Sequence, residues 1–198
     1  MKEINREFID ESVKVLDKAD IELSQIPNIN LYMEQLVDFI NTNTSGYKRN
    51  EGNTFTKAMI NNYTKAGLLN PPTNKKYNQE HIILLLLINH LKQVLSINDI
   101  KSLFAPILKN MDKEEVADNI ISIEDIYETF LELKDSEYLN AGNNFEEKFK
   151  IIKEETKKIT NENNQDLAEI FLTVLMLVAQ ANIAKRLAEN IIDNLLPH

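Results

Sequence analysis

With 198 residues, 43% of them hydrophobic, the chain can bury a sizeable core as one domain or two small ones. It holds no cysteine, which excludes disulfide frameworks, thiolate zinc sites and cysteine nucleophiles. The net charge of −9 conceals a basic island, because Gly46 to Lys101 carries eight basic residues against three acidic, net +5, and the remainder is −14. Such asymmetry favours docking of one defined face on a phosphate surface over general nucleic-acid coating.

The first residues, MKEINREFIDES, lack the apolar centre of a secretory signal. The longest charge-free apolar run, Ile170 to Ala184, falls short of the ~20 residues that span a bilayer. A soluble, cytoplasmic protein with no membrane partner is expected. Four glycines, five prolines and long periodic leucine- and isoleucine-rich runs predict an all-α fold.

In chain order, Glu3 to Lys18 reads as a modest amphipathic helix with Ile4, Phe8, Val15 and Leu16 roughly on one face. After Pro27, Asn30 is placed to cap a helix whose Leu31, Leu36, Phe39 and Ile40 share a side. Thr42 to Asn53, with Gly46 and Gly52, reads as a loop. A helix from Lys57, a turn at Pro71-Pro72 and a helix from Gln79 to about Leu95, capped by Asn78, follow. The run Ile82 to Ile88 is apolar on every side and suits a buried strand as well as a helix; its leucine richness and length favour the helix. Ser96 and Asp99 form a capping-box pattern that opens another helix, with Pro106 near its end.

Beyond Asn110, Asp112 can cap a helix carrying Val116 and Ile120, and Ser122 with Asp125 marks a fresh start towards Leu133. Asn140 to Asn144 reads as a break, after which Phe145, Phe149, Ile152 and Ile159 lie along one stripe, and Asn161 to Asn164 as another. The last helix, about Gln165 to Leu195, has apolar residues over far more than one stripe. It is either the centre of a C-terminal bundle or a dimerisation element. These elements divide the chain into an N-terminal arm, 1–27, a middle region, 28–108, and a helical dimerisation or sensor region, 109–198.

The middle region carries the chemistry. On the helix from Lys57, Met59, Ile60, Tyr63 and Ala66 gather on one side, leaving Lys57, Asn61, Thr64 and Lys65 opposite, all hydrogen-bonding residues. Thr56 suits the N-cap, so the positive end of the helix dipole is free to meet a phosphate. Asparagine makes bidentate contacts with adenine, whereas lysines supply position and non-specific affinity. Asn61 and Asn62 are the candidates for base reading; the plainer alternative is a solvated face in an asparagine-rich chain. Lys75 and Lys76 follow on a short wing, and the hydroxyls of Tyr63 and Tyr77 serve either as donors to phosphate or as wedges between helix and wing.

The order Met59-Ile60-Asn61-Asn62-Tyr63-Thr64-Lys65-Ala66-Gly67-Leu68-Leu69, then Pro71-Pro72, Lys75-Lys76-Tyr77-Asn78 and Ser96-Ile97-Asn98-Asp99-Ile100, resembles the DNA-reading half of the MerR-like winged helix-turn-helix regulators. Ile60, Tyr63, Lys65 and Gly67-Leu68-Leu69 coincide with that family's helix, and the match covers about a quarter of the chain. The departures are Asn61 and Asn62 in place of an arginine and an aromatic, Thr64 in place of glutamate, a shortened wing, and no single long heptad coil. The resemblance implies double-stranded DNA as partner, with Lys57, Asn61, Asn62, Tyr63, Lys65, Lys75, Lys76 and Tyr77 at the contact; a homodimer through the last helix is expected from the many-sided apolar surface of that helix.

No helical i, i+4 histidine pair exists, since His81 and His90 lie nine apart, and no Gly-rich phosphate loop or nucleophile elbow is present. A non-enzymatic protein without a metal or cofactor is expected, with room in the helical region for an unknown small-molecule effector. The function expected is a sequence-specific DNA-binding regulator. The alternative is a helical protein-interaction module that kept the winged-helix shape.

Overall fold

The computed structural model describes residues 6–17, 20–44, 55–111, 122–158 and 164–196. Among them are seven α-helices and one two-stranded sheet, so the fold is mostly helical: α1 (Arg6–Asp17), β1 (Leu31–Tyr32), α2 (Met33–Asn43), α3 (Lys57–Ala66), β2 (Lys76–Tyr77), α4 (Gln79–Leu91), α5 (Ile97–Met111), α6 (Ile123–Thr156) and α7 (Gln165–Leu195). The chain divides into two compact units, one of residues 19–132 with 188–198, the other of 1–18 with 133–187.

The larger unit is built round α4. His81 to Asn89 are nine consecutive buried residues, as the all-round apolar run Ile82 to Ile88 requires. Leu36 and Ile40 of α2, Ile60 of α3, Leu68 and Ile100 are fully buried in the same core. Tyr127 closes it from α6, its hydroxyl donating to Ile21 O at 2.7 Å. His90 packs edge-on against Phe130, 5.1 Å between ring centres, and its Nε2 lies 3.2 Å from Asp20 Oδ1. Burial lowers the His90 imidazole to a pKa of about 4.

Several boundaries differ from the sequence expectations. Leu31 does not open a helix capped by Asn30; it lies in β1, paired antiparallel with β2 in the register Leu31↔Tyr77 and Tyr32↔Lys76. Tyr32 is extended, its N–H bonded to Gln35 Oε1 at 2.9 Å, and α2 starts at Met33. Thr42 and Asn43 belong to α2, and the rest of the expected loop, 45–53, lies outside the described residues. α4 stops at Leu91 because residues 92–95 turn to bring Ser96 to the start of α5, with Leu95 N–H on Leu91 O at 2.8 Å. Pro106 sits inside α5, not at its end; Ile100, Phe104 and Leu108, buried at successive i+4 positions, hold the helix together across the missing N–H.

The expected break at Asn140 to Asn144 is absent, and α6 runs unbroken for 34 residues. One glycine and scattered asparagines cost roughly 1 kcal/mol and a few tenths each, which a long packed helix absorbs. In the smaller unit, Phe145 and Phe149 stack at 6.1 Å, and Thr156 donates to Lys153 O at 2.9 Å. On α1 Ile9 is buried and Phe8 exposed, so the buried face is one residue out of step with the expected stripe. Ile4, the helix expected at 112–121, Ile159 and Asn161 to Asn163 lie outside the described residues, and the side chains of Val15 and Leu16 are not described.

α7 spans the expected residues but is not the centre of a bundle. Leu167, Phe171, Val174, Leu177, Val178, Ile183, Leu187 and Leu195 are all exposed. By length and composition alone, this helix is long and apolar enough to cross a bilayer; its most apolar 18-residue window has mean hydropathy 1.8, and 6% of that window is buried.

Candidate nucleic-acid interface

The candidate surface is assembled from α2, α3, the segment that follows α3, and β2. α3 is tied to α2 at its start by Asn41, whose Nδ2 donates to Phe55 O at 2.9 Å while its Oδ1 accepts Phe55 N–H at 3.0 Å. This two-bond clamp satisfies both backbone groups of a residue whose side chain is fully buried. Thr56 then caps α3, its hydroxyl accepting Met59 N–H at 3.2 Å. Ile60 and Tyr63 face the core, Tyr63 meeting Phe55 edge-on at 6.2 Å.

α3 ends where the sequence placed its end. Gly67 adopts the left-handed φ of +74°, Leu68 N–H bonds Tyr63 O at 2.9 Å and Gly67 N–H bonds Thr64 O at 3.1 Å. This is the six-to-one and five-to-two pattern that turns a chain off a helix, and it drops Leu68 and Leu69 into the core. The chain passes Pro71-Pro72 to a two-residue turn, Asn74-Lys75, with both φ positive (+52° and +64°) and Lys76 N–H on Thr73 O at 3.0 Å. Positive φ at both central residues gives the twist that joins antiparallel strands.

Lys57, Asn61, Asn62 and Lys65 are exposed along α3, and Lys75 is exposed at the turn. Lys57 is paired with Glu34 of α2, whose carboxyl is held below its ordinary value by that hydrogen bond. Lys76 is half-buried, its Nζ 5.1 Å from the centre of the Tyr32 ring. Tyr63 and Tyr77 depart from the expected surface role: they are 8% and 3% exposed, and burial raises both phenols above their ordinary value. Tyr77 packs edge-on against His81 at 5.4 Å, the wedge between β2 and α4. His81 is a packing residue too, its Nδ1 accepting Asn78 N–H at 3.2 Å and its Nε2 lying 3.1 Å from Asn70 O.

Two lysines outside the expected set stand at the ends of α3. Lys92 Nζ lies 4.2 Å from the centre of the Phe55 ring, just before the helix, and burial lowers its pKa. Lys101 lies at the other end, its Cε 3.8 Å from where a side chain on Gly67 would begin. Both belong to the basic island, but their distance in sequence from α3 hid them. Asn41 was missed for the same reason, since its clamp joins residues fourteen apart. Beside β2, an open cleft of about 610 Å³ is lined by Asn28, Asn30, Lys76, Asn78, Glu80 and Glu124 among others. It lacks the apolar walls that usually hold a small organic ligand.

Residues 21–130, more than half of the chain, match the family described as a domain of unknown function, DUF1836. The chain belongs to the DUF1836 family. The DUF1836 segment contains α2 to α5, both strands and the start of α6, and so every residue of the candidate surface. No curated protein and no solved structure matches the chain.

Proposed function

We propose that this DUF1836 protein is a sequence-specific DNA-binding transcriptional regulator of the winged helix-turn-helix, MerR-like kind, acting in the cytoplasm without catalysis or cofactor. α3 enters the major groove, with Asn61 and Asn62 at base edges and Lys57 and Lys65 towards phosphate. The turn at Lys75-Lys76 rests on the backbone beside it. The observation that carries the reading is the exposed, hydrogen-bonding face of α3, bounded by a capped N-terminus and followed by a tight lysine-bearing turn. Support also comes from the order strand, helix, helix, turn and strand, with β1 closing onto β2. Lys92 and Lys101 extend the positive surface to both ends of the helix.

A second reading, a protein-interaction module on the same scaffold, is favoured by one detail: Lys57 is already engaged by Glu34. Selection of bound fragments from random DNA at ~0.15 M salt separates the readings. The expected result is an enriched motif, lost in the Lys75→Glu/Lys76→Glu variant with its fold intact. If the two lysines meet phosphate, neutral replacements should flatten the slope of log K against log salt by about 1.8. No enrichment by the folded protein, or binding indifferent to these lysines, sinks the DNA reading.

A further inference from the structure

Val174, Leu175, Met176, Leu177 and Val178 are consecutive in α7, and each is 44–54% exposed. At about 100° per residue, five in a row point in every direction round the helix. Of the eleven residues from Val174 to Ala184 only Gln180 is not exposed, and Leu167, Phe171 and Ile183, at 63–68%, continue the surface. A partner helix covers one stripe of roughly 100° and would leave most of these side chains in water. An apolar helix that its own fold does not enclose, and that one partner cannot enclose, is covered by lipid.

The polar residues of the segment decide how it meets that lipid. Residues 167–187 belong to one compact unit. Within them Glu169, Thr173 and Gln180 fall inside about 40° of helix surface. This narrow side is the covered one: Thr173 is buried, and Glu169 and Gln180 are half-buried. Glu169 Oε1 accepts from the hydroxyl of Thr156 at 3.4 Å, at the end of α6. Thr156 is flanked by Glu154, Glu155, Lys157 and Lys158, charges that keep this side in water. The charge-free stretch Ile170 to Ala184, about 22 Å, is also short of the roughly 30 Å of hydrocarbon that a span must cross. A helix lying along the surface has no such length to satisfy; it needs a polar side towards water and an apolar remainder. Lys185 and Arg186 close the stretch on stems long enough to return their charges to the headgroups.

We propose that α7 inserts lengthwise into one leaflet of a phospholipid bilayer, its Glu169, Thr173 and Gln180 side towards water and Phe171, Leu175 and Val178, on the opposite side, deepest. The unit that holds the segment carries twelve basic and fourteen acidic residues, so apolar burial, not attraction to anionic headgroups, holds the helix there. The sequence expectation of no membrane partner rests on the length of a span, which this arrangement does not need. The inference does not rest on the DNA reading and is tested without DNA.

The test is flotation of the full chain with phosphatidylcholine vesicles at ~0.1 and ~1 M salt, where screening differs about threefold in range. The protein should float at both; loss of flotation at the higher salt refutes apolar insertion. Phe171→Glu/Val178→Glu places charges on the deepest side and should weaken partition more than about a hundredfold, with helix content kept because both side chains are exposed. Met176→Glu/Leu187→Glu adds the same charge beside the polar side, at two residues of similar exposure, and should weaken it less than about tenfold. As the chain has no tryptophan, Val178→Trp supplies a single probe that brominated acyl chains should quench, and Gln180→Trp one that they should not. A folded protein that stays off the vesicles, whether as a monomer or with α7 covered by a second copy, overturns the proposal. So does flotation that survives the Phe171/Val178 variant, equal loss in both glutamate variants, or equal quenching at positions 178 and 180.

Discussion

Asn41 decides how α3 is presented, and its replacement gives a measurable cost. Asn41→Ala removes two part-buried hydrogen bonds, at 2.9 and 3.0 Å, from the N–H and C=O of Phe55. Each bond contributes about 1 kcal/mol net, and each backbone group left buried without a partner costs about 1–3 kcal/mol. Since Phe55 is fully buried, the expected loss is about 2–4 kcal/mol, a large share of a typical ~5–15 kcal/mol stability. Asn41→Asp keeps the acceptor for Phe55 N–H but sets a carboxylate against Phe55 O, where only the protonated acid can donate. The folded pKa of the introduced carboxyl is therefore raised above its unfolded value of ~3.9, and the stability it contributes is fully present below ~pH 3.9 and lost as pH rises through the folded pKa. Urea unfolding followed by far-ultraviolet circular dichroism at pH 7 and at about pH 4, each variant relative to wild type, reads both effects. An alanine variant within ~0.5 kcal/mol of wild type, or an aspartate variant that gains nothing over alanine on acidification, refutes the clamp.

Three further outcomes follow from the same geometry. Gly67→Ala should cost about 1–2 kcal/mol from its φ of +74° alone, because the nearest atom to an added Cβ is 3.8 Å away; urea unfolding unchanged from wild type refutes it. Lys75→Gly should stabilise the chain by about 1 kcal/mol, relieving φ +64° and placing Asn-Gly in the turn that prefers it, and should still weaken DNA binding by removing a cation; thermal unfolding and a binding titration read the two changes separately. For His90, the folded pKa of about 4 lies below the ordinary 6.5, so the folded state binds fewer protons between those values. That stability is present above pH 6.5 and lost as pH falls to about 4, up to about 3 kcal/mol, and His90→Gln should flatten the pH dependence of urea unfolding in that window.

What was legible in the sequence was local. Thr56, Asn78, Ser96 with Asp99, and Ser122 bond the nearby backbone, so their helix starts follow from residues three apart. Gly67 was readable because a left-handed residue after a helix has few alternatives. What failed depended on distant partners. Leu31 and Tyr32 are drawn out of α2 by pairing with residues forty-six and forty-four positions away, and nothing near Asn30 announces that. Pro106 and Asn140 to Asn144 are helix breakers by propensity, overridden by packing and length. At the candidate surface, Asn61, Asn62 and Lys65 are exposed as their spacing required, whereas the burial of Tyr63 and Tyr77 is fixed by Phe55 and His81, neighbours in space that the sequence does not place beside them.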